Sequence, residues 1–173
     1  LLLVIAVYIL IERVIAIRAA SQEDSSFMDR IKDYIMDGKV ESALELCRKT
    51  NTPSARMIEK GITRLGRPLS DVTTAIENEG NLEIAKLEKG LAMLATTAGG
   101  APMLGFLGTV IGMVQAFFDM ASAGNNVDIT VLSEGIYTAM VTTVAGLIVG
   151  IIAYFSYNYL TSRVNNIVHK MEA

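Results

Sequence analysis

Two runs of 28 residues each, 91–118 and 135–162, contain no Asp, Glu, Lys, Arg or His. As an α-helix a run of that length is roughly 42 Å long, against a bilayer hydrocarbon core of about 30 Å, so each can cross a membrane with tilt or overhang. The rest of the chain agrees: of 173 residues 51% are hydrophobic and only 19% charged, and the mean hydropathy of +0.42 lies above that of an ordinary soluble domain. A third apolar run, residues 1–11, is only roughly 16 Å long as helix and opens without a methionine. It is expected to be a first span, residues 1–17, cut short at its start. A signal-peptide core is the alternative, but no small-residue cleavage site follows, and Glu12-Arg13 is succeeded by more apolar residues.

Basic residues set orientation, because positively charged loops resist translocation. Twelve of the 15 Lys and Arg residues lie between Arg18 and Lys89, and none lies in 119–134, which carries Asp119, Asp128 and Glu134 instead. The expected organisation is therefore an outside start, a cytoplasmic helical domain at 18–90, a span at 91–118, a short outer hairpin loop at 119–134, a span at 135–162 and a cytoplasmic tail at 163–173. The fold class is an all-α membrane protein with three transmembrane helices, the second and third extending into the cytoplasmic domain.

Within 18–90 the apolar spacing of Phe27, Ile31, Tyr34 and Ile35 marks one helical face, stopped by Asp37-Gly38. A second helix is expected over 40–49, and a third from Pro53 through Leu65, ended by Gly66-Arg67-Pro68. From Ser70, a good N-cap, the apolar pattern runs without a proline into the second span, so one continuous helix is expected there, with Gly80 and Gly90 each costing about 1 kcal/mol relative to Ala.

The single cysteine, Cys47, and the single histidine, His169, support neither a disulfide framework nor a side-chain zinc cluster within one chain. Cys47 reads as a small hydrophobe on a helix face. A pI near 5.2 with no basic cluster gives no support to nucleic-acid binding. The spans hold no Ser/His pair, paired aspartates or metal centre for intramembrane proteolysis, so neither an enzyme nor a cofactor is expected.

Inside the spans, Gly105, Gly108, Gly112, Gly146 and Gly150 include two GxxxG spacings that let helix backbones approach closely and support oligomerisation, and Pro102 is expected to kink or loosen its helix. Thr96, Thr97 and Thr109 lie in the second span, and Thr138, Thr142 and Thr143 in the third. Thr138 and Thr142 share a face at i, i+4. These hydroxyls either line a polar route or bond the i−4 carbonyl of their own helix. With no Asp, Glu, Lys, Arg or His in either span, a carboxylate that takes up protons within the membrane has to come from another subunit.

Three segments carry a family resemblance: Leu94-Ala95-Thr96-Thr97, Ala101-Pro102-Met103-Leu104-Gly105-Phe106-Leu107-Gly108-Thr109-Val110-Ile111-Gly112, and Gly135-Ile136-Tyr137-Thr138-Ala139-Met140-Val141-Thr142-Thr143-Val144-Ala145-Gly146-Leu147. In these the chain resembles the ExbB/TolQ/MotA proton-channel family, with a three-span layout closer to ExbB and TolQ. The resemblance implies a homopentamer in the bacterial inner membrane whose second and third spans line a pore. That pore would hold two single-span chains of the ExbD/TolR type, whose aspartate carries the proton. Ion passage would drive rotation, and the work would reach outer-membrane transport through a TonB-like protein. Thr109 and Thr143 fall on the family's pore threonines, while Thr138 stands where many ExbB and TolQ members have a glutamate. That departure leaves Na⁺ beside H⁺ as the transported ion, since rings of hydroxyls solvate a hard cation. A Na⁺-driven stator and a membrane scaffold with lipid and signalling contacts remain the alternatives.

Overall fold

A computed structural model describes residues 1–22, 26–122 and 129–172. Every regular element among them is helical: α1 (Leu2–Ala20), α2 (Phe27–Met36), α3 (Val40–Thr50), α4 (Pro53–Ile62), α5 (Leu69–Glu88), α6 (Leu91–Ser122) and α7 (Ile129–Glu172). The chain divides into two compact units, Leu1–Leu10 with Gly90–Tyr159, and Ile11–Lys89 with Leu160–Ala173.

The second unit contains the short helices, and its local signals explain where they stop. Gly38 takes a positive φ of 73° after α2, and Asn51 closes α3 in the left-handed region, its N–H donating to the Cys47 carbonyl at 3.0 Å. The chain then turns at once into α4, where the Thr52 hydroxyl accepts from the Ala55 N–H at 3.3 Å and Pro53 occupies the first turn. Helices α2, α3 and α4 pack in sequence, with Phe27, Ile31, Ala43, Cys47, Ala55 and Ile62 forming their core. Burial pushes the Cys47 thiol up to about 11, with the nearby Glu59 charge adding to the shift, so it sits in that core as an unreactive small hydrophobe.

The expected uninterrupted helix from Ser70 into the second span does not form. Helix α5 begins at Leu69, ends at Glu88, and is separated from α6 by Lys89, with ψ of 128°, and Gly90, with φ of +86°. Only glycine adopts that φ without a Cβ clash, and a Cβ there would also sit 3.2 Å from the Ile9 side chain of α1. The Gly90 carbonyl then accepts from the Leu94 N–H at 3.2 Å and starts α6. At the other end of the spans the helices run further than expected: α6 reaches Ser122 and α7 starts at Ile129, so Asp119 and Glu134 are helical, while Asp128 and the centre of the expected 119–134 loop lie outside the described residues. The i, i+4 bond from Gln115 Nε2 to Asp119 Oδ1, 2.9 Å, is a local reason for the extension of α6. Helix α7 also takes in the expected tail, giving 44 residues in one helix.

Among the described residues, two helical stretches, Leu69–Ser122 and Leu132–Glu172, are long and apolar enough to cross a membrane, and only 17% of the most apolar window of each is buried. The core helix of a soluble protein would hide such residues. Here Leu104, Phe106, Ile111, Tyr137, Val144 and Ile151 are all exposed, as expected of side chains that meet lipid or other chains.

In the second unit α5 is tied to α4 by a buried charge. The Glu83 carboxylate, 2% exposed, accepts from an Arg56 guanidinium nitrogen and from Lys86 Nζ at 2.6 Å. Burial raises the Glu83 pKa, but the hydrogen bonds and charges of Arg56 and Lys86 outweigh it and hold the carboxyl below the ordinary glutamate value. A depressed folded-state pKa contributes stability that is fully present above the unfolded-state value, about 4.3 for Glu, and is lost as the pH falls through the folded one. Replacing Glu83 with Gln is expected to lower stability at pH 7 by about 1–3 kcal/mol, since both cations keep partial access to water. Thermal unfolding of wild type and variant checks this: their midpoints should converge as the pH falls below 4, and a constant gap would refute the charge pairing.

Candidate functional site

Helices α6 and α7 run antiparallel in close contact, and small residues set the spacing. A Cβ added to Gly105 would sit 2.9 Å from the Thr142 carbonyl oxygen and 3.1 Å from the Thr143 Cα, and one added to Gly146 would sit 2.6 Å from the Ala101 carbonyl oxygen. The ladder continues with Gly135 on Ala116, Gly112 on Ala139, Gly108 on the Thr142 side chain and Gly150 on the Pro102 ring. The glycines expected to serve association between chains are thus used first within one chain. Pro102 lies inside the continuous helix α6, seated against Gly150.

The close approach brings hydroxyls from both helices onto two backbone carbonyls. The Thr109 Oγ1 lies 3.1 Å from the Ala139 carbonyl oxygen and 3.3 Å from that of Gly105, and it contacts the Thr143 hydroxyl directly. Thr143 Oγ1 donates to the Gly105 carbonyl at 3.0 Å. Thr142 Oγ1 donates to Ala139 at 2.6 Å and also approaches the Gly105 carbonyl at 3.5 Å. Thr96 and Thr97 instead bond the i−4 carbonyls of Ala92 and Met93, both at 2.9 Å, which is the local alternative weighed for every span threonine.

Thr138 is not part of this cluster. It is exposed on a groove of about 430 Å³ between the two helices, together with Thr142, Gln115, Asp119 and Glu134, above a floor of Gly108, Gly112, Gly135 and Ala139. Two carboxylates therefore stand at the hairpin end of a groove that reaches Thr142, while residues 91–118 and 135–162 contain no Asp, Glu, Lys, Arg or His. Sequence reasoning assigned Asp119 and Glu134 to a loop and gave no role to Ala139, Ala116 or Gln115. The signal was available in their i, i+4 spacing, Ala116 and Gln115 continuing the face of Gly112 and Ile111, and Glu134 preceding Thr138 by one turn.

Residues 49–173 match the family model described as the MotA/TolQ/ExbB proton channel family, and that range holds both long helices and the threonine cluster. The chain belongs to this family. Among related proteins of this MotA/TolQ/ExbB group, a Methanothermobacter thermautotrophicus protein named as a biopolymer transport ExbB homolog is 36% identical over 135 residues, covering 78% of this chain and 47% of its own. The Tol-Pal system protein TolQ of Haemophilus influenzae is 38% identical over 87 residues, 50% of this chain and 38% of its own. The biopolymer transport protein ExbB of Xanthomonas campestris is 30% identical over 101 residues, 58% and 40%. The chain therefore spans less than half the length of these relatives. Family membership and the exposed apolar helices together make it a helical membrane protein.

The contacts predict which span glycines tolerate a methyl group. Gly146→Ala presses a Cβ into the Ala101 backbone and is expected to destabilise the protein by about 1–3 kcal/mol. Gly99→Ala, in the same helix pair with nothing within 4 Å of its added Cβ, is expected to be neutral or to stabilise by up to about 1 kcal/mol. Thermal midpoints of the two variants in one detergent measure the contrast; equal shifts would mean that the α6–α7 seam is looser than these contacts.

Proposed function

We propose that this chain is the ion-conducting subunit of an inner-membrane motor driven by an ion gradient, with the ExbB-like task of energising transport at the outer membrane. The reading is supported above all by the hydroxyl cluster of Thr109, Thr142 and Thr143, which lies between stretches of α6 and α7 without Asp, Glu, Lys, Arg or His and gathers on the Gly105 and Ala139 carbonyls. Hydroxyls and carbonyls replace the hydration shell of a cation, yet they neither hold a proton at neutral pH nor give one up. A working cycle needs a carboxylate, and a single-span partner of the ExbD/TolR type supplies it. In this reading five copies surround two such partners, α1 is the first of three spans, its start lies on the periplasmic side, and the α2–α5 region and the end of α7 are cytoplasmic, in keeping with the basic residues between Arg18 and Lys89. A TonB-like protein receives the work. Thr138 and Thr142 line the approach from the hairpin end, and Thr109 with Thr143 forms the narrow part.

The mass of the intact complex, extracted in mild detergent with and without a co-expressed single-span partner, tests the architecture. A pentamer that captures two partner chains is the expected result, and a stable monomer or dimer that ignores the partner would sink it.

Replacing both Thr109 and Thr143 with Val keeps side-chain shape and removes the hydroxyls. In an assembled complex this is expected to lower ion-driven activity by at least about tenfold, on the scale of one lost hydrogen-bonding group at about 1.4 kcal/mol, while Ser at both positions restores it. Unchanged activity with Val would assign the threonines to clamping the helices and favour a scaffold. The same assay run with and without sodium distinguishes the ions: H⁺ is the expected carrier, and loss of activity in sodium-free buffer would assign a Na⁺-driven stator instead.

A further inference from the structure

The second unit contains a cavity of about 330 Å³ between α1, the start of α4 and the end of α5. Three cations line it, Arg13, Arg56 and Lys86, against one carboxylate, Glu83. The first turn of α4, at Pro53, adds the positive end of a helix dipole. The hydrogen-bond inventory leaves donors over. Arg13 pairs with Glu12 and donates through Nη1 to the Lys86 carbonyl at 2.8 Å. Arg56 donates from Nη1 to Asn51, at 2.9 Å to its carbonyl and 2.7 Å to its side-chain oxygen, and from Nη2 to Glu83. Its Nε is buried and has no partner. Lys86 Nζ spends one hydrogen on Glu83, at 2.6 Å, and retains two. Glu83 brings one negative charge to two cations, so Arg56, Lys86 and Glu83 together remain positive.

The Arg56 Nε is enclosed by protein and does not open on the cavity, whereas Arg13, only 8% exposed, lines it with guanidinium hydrogens left over, and such donors call for an occupant rich in acceptors. The occupant must carry negative charge and several acceptor oxygens in a compact group, because the cations converge from α1, α4 and α5. We propose that this cavity binds a phosphate group, taken up by Lys86 Nζ and the spare guanidinium hydrogens of Arg13. The volume exceeds what a bare phosphate fills, being room for roughly ten waters at about 30 Å³ each, so the group arrives on a larger molecule. Arg13 lies just past the apolar run 1–11 of α1, after Glu12, which favours the headgroup of an anionic phospholipid. The lipid source rests on α1 spanning the membrane; the phosphate chemistry does not, and neither depends on ion conduction.

Native mass spectrometry of the full chain in detergent, titrated with phosphatidylglycerol, phosphatidylcholine or inorganic phosphate, tests the site. One phosphatidylglycerol retained per chain, in preference to phosphatidylcholine, is expected. Lys86→Gln, which leaves Arg56 to pair Glu83, should weaken retention about tenfold, the scale of one charge-assisted hydrogen bond. Lys60→Gln is the control, since Lys60 faces Glu79 at 3.8 Å and does not line the cavity. Inorganic phosphate that binds with the same dependence on Lys86, without lipid preference, would support the site and assign it to a soluble phosphate compound. Retention of neither probe, or retention that Lys86→Gln leaves intact, would overturn the proposal. The Lys86 side chain is mostly exposed and Arg56 still pairs Glu83 in this variant, and a thermal unfolding midpoint close to that of wild type, measured alongside, separates lost binding from lost fold.

Discussion

Within a bilayer, burying a leucine against another helix gains little over burying it in lipid tails, so two spans stay together through close atomic contact and polar bonds. The α6–α7 seam follows from that constraint. Gly105 and Gly146 remove the side chains that would hold the backbones apart, and the carbonyl of Gly105 thereby comes within reach of hydroxyls on the facing helix. If Gly105 carried a methyl group, its Cβ would collide with Thr142 and Thr143, and the carbonyl shared by the hydroxyls would retreat with the helix. Small residues and threonines are therefore one device: the first set the distance at which the second can bond across it.

The second unit follows the opposite logic, that of a water-soluble domain. Its helices α2, α3 and α4 are short, closed by left-handed residues and a proline, and packed on a small apolar core around Phe27 and Cys47. Where it buries charge, it does so in combination, with Glu83 shared between Arg56 and Lys86. One covalent chain thus satisfies two solvents, with small-residue contacts and hydroxyls in the apolar helices and with caps, a hydrophobic core and ion pairs elsewhere.

Much of this was legible in the sequence because the signals were local. The bounds of α2 and α3 fall close to Asp37-Gly38 and Asn51-Thr52-Pro53, where the turn chemistry sits in two or three adjacent residues. The helical class of the spans follows from the absence of charge. The break at Gly90 was not legible, since a glycine in an apolar-periodic stretch reads the same whether φ is −60° or +86°, and the choice is made by contacts such as the one with Ile9 of α1, far away in sequence. The hairpin-end helices were missed for a similar reason: polar residues such as Gln115, Asp119 and Glu134 read as loop by composition, though their spacing is helical. Of the candidate site, Thr109 and Thr143 were singled out only through the family resemblance, and their contact with each other was not anticipated. Which carbonyls the pair would find depends on the register of α6 against α7, and no single helix encodes that.

The contact between the Thr109 and Thr143 hydroxyls has a property that follows from its neighbours. Either oxygen can be the donor. Thr109 can turn its hydrogen to the Ala139 carbonyl and accept from Thr143, or Thr143 can turn its own to the Gly105 carbonyl and accept from Thr109. Both arrangements use one carbonyl and one inter-hydroxyl bond, and they differ only in the sense in which the O–H dipoles point. The seam between α6 and α7 therefore contains a reversible electrical polarity, one that can invert by rotating two hydrogens while every heavy atom stays in place.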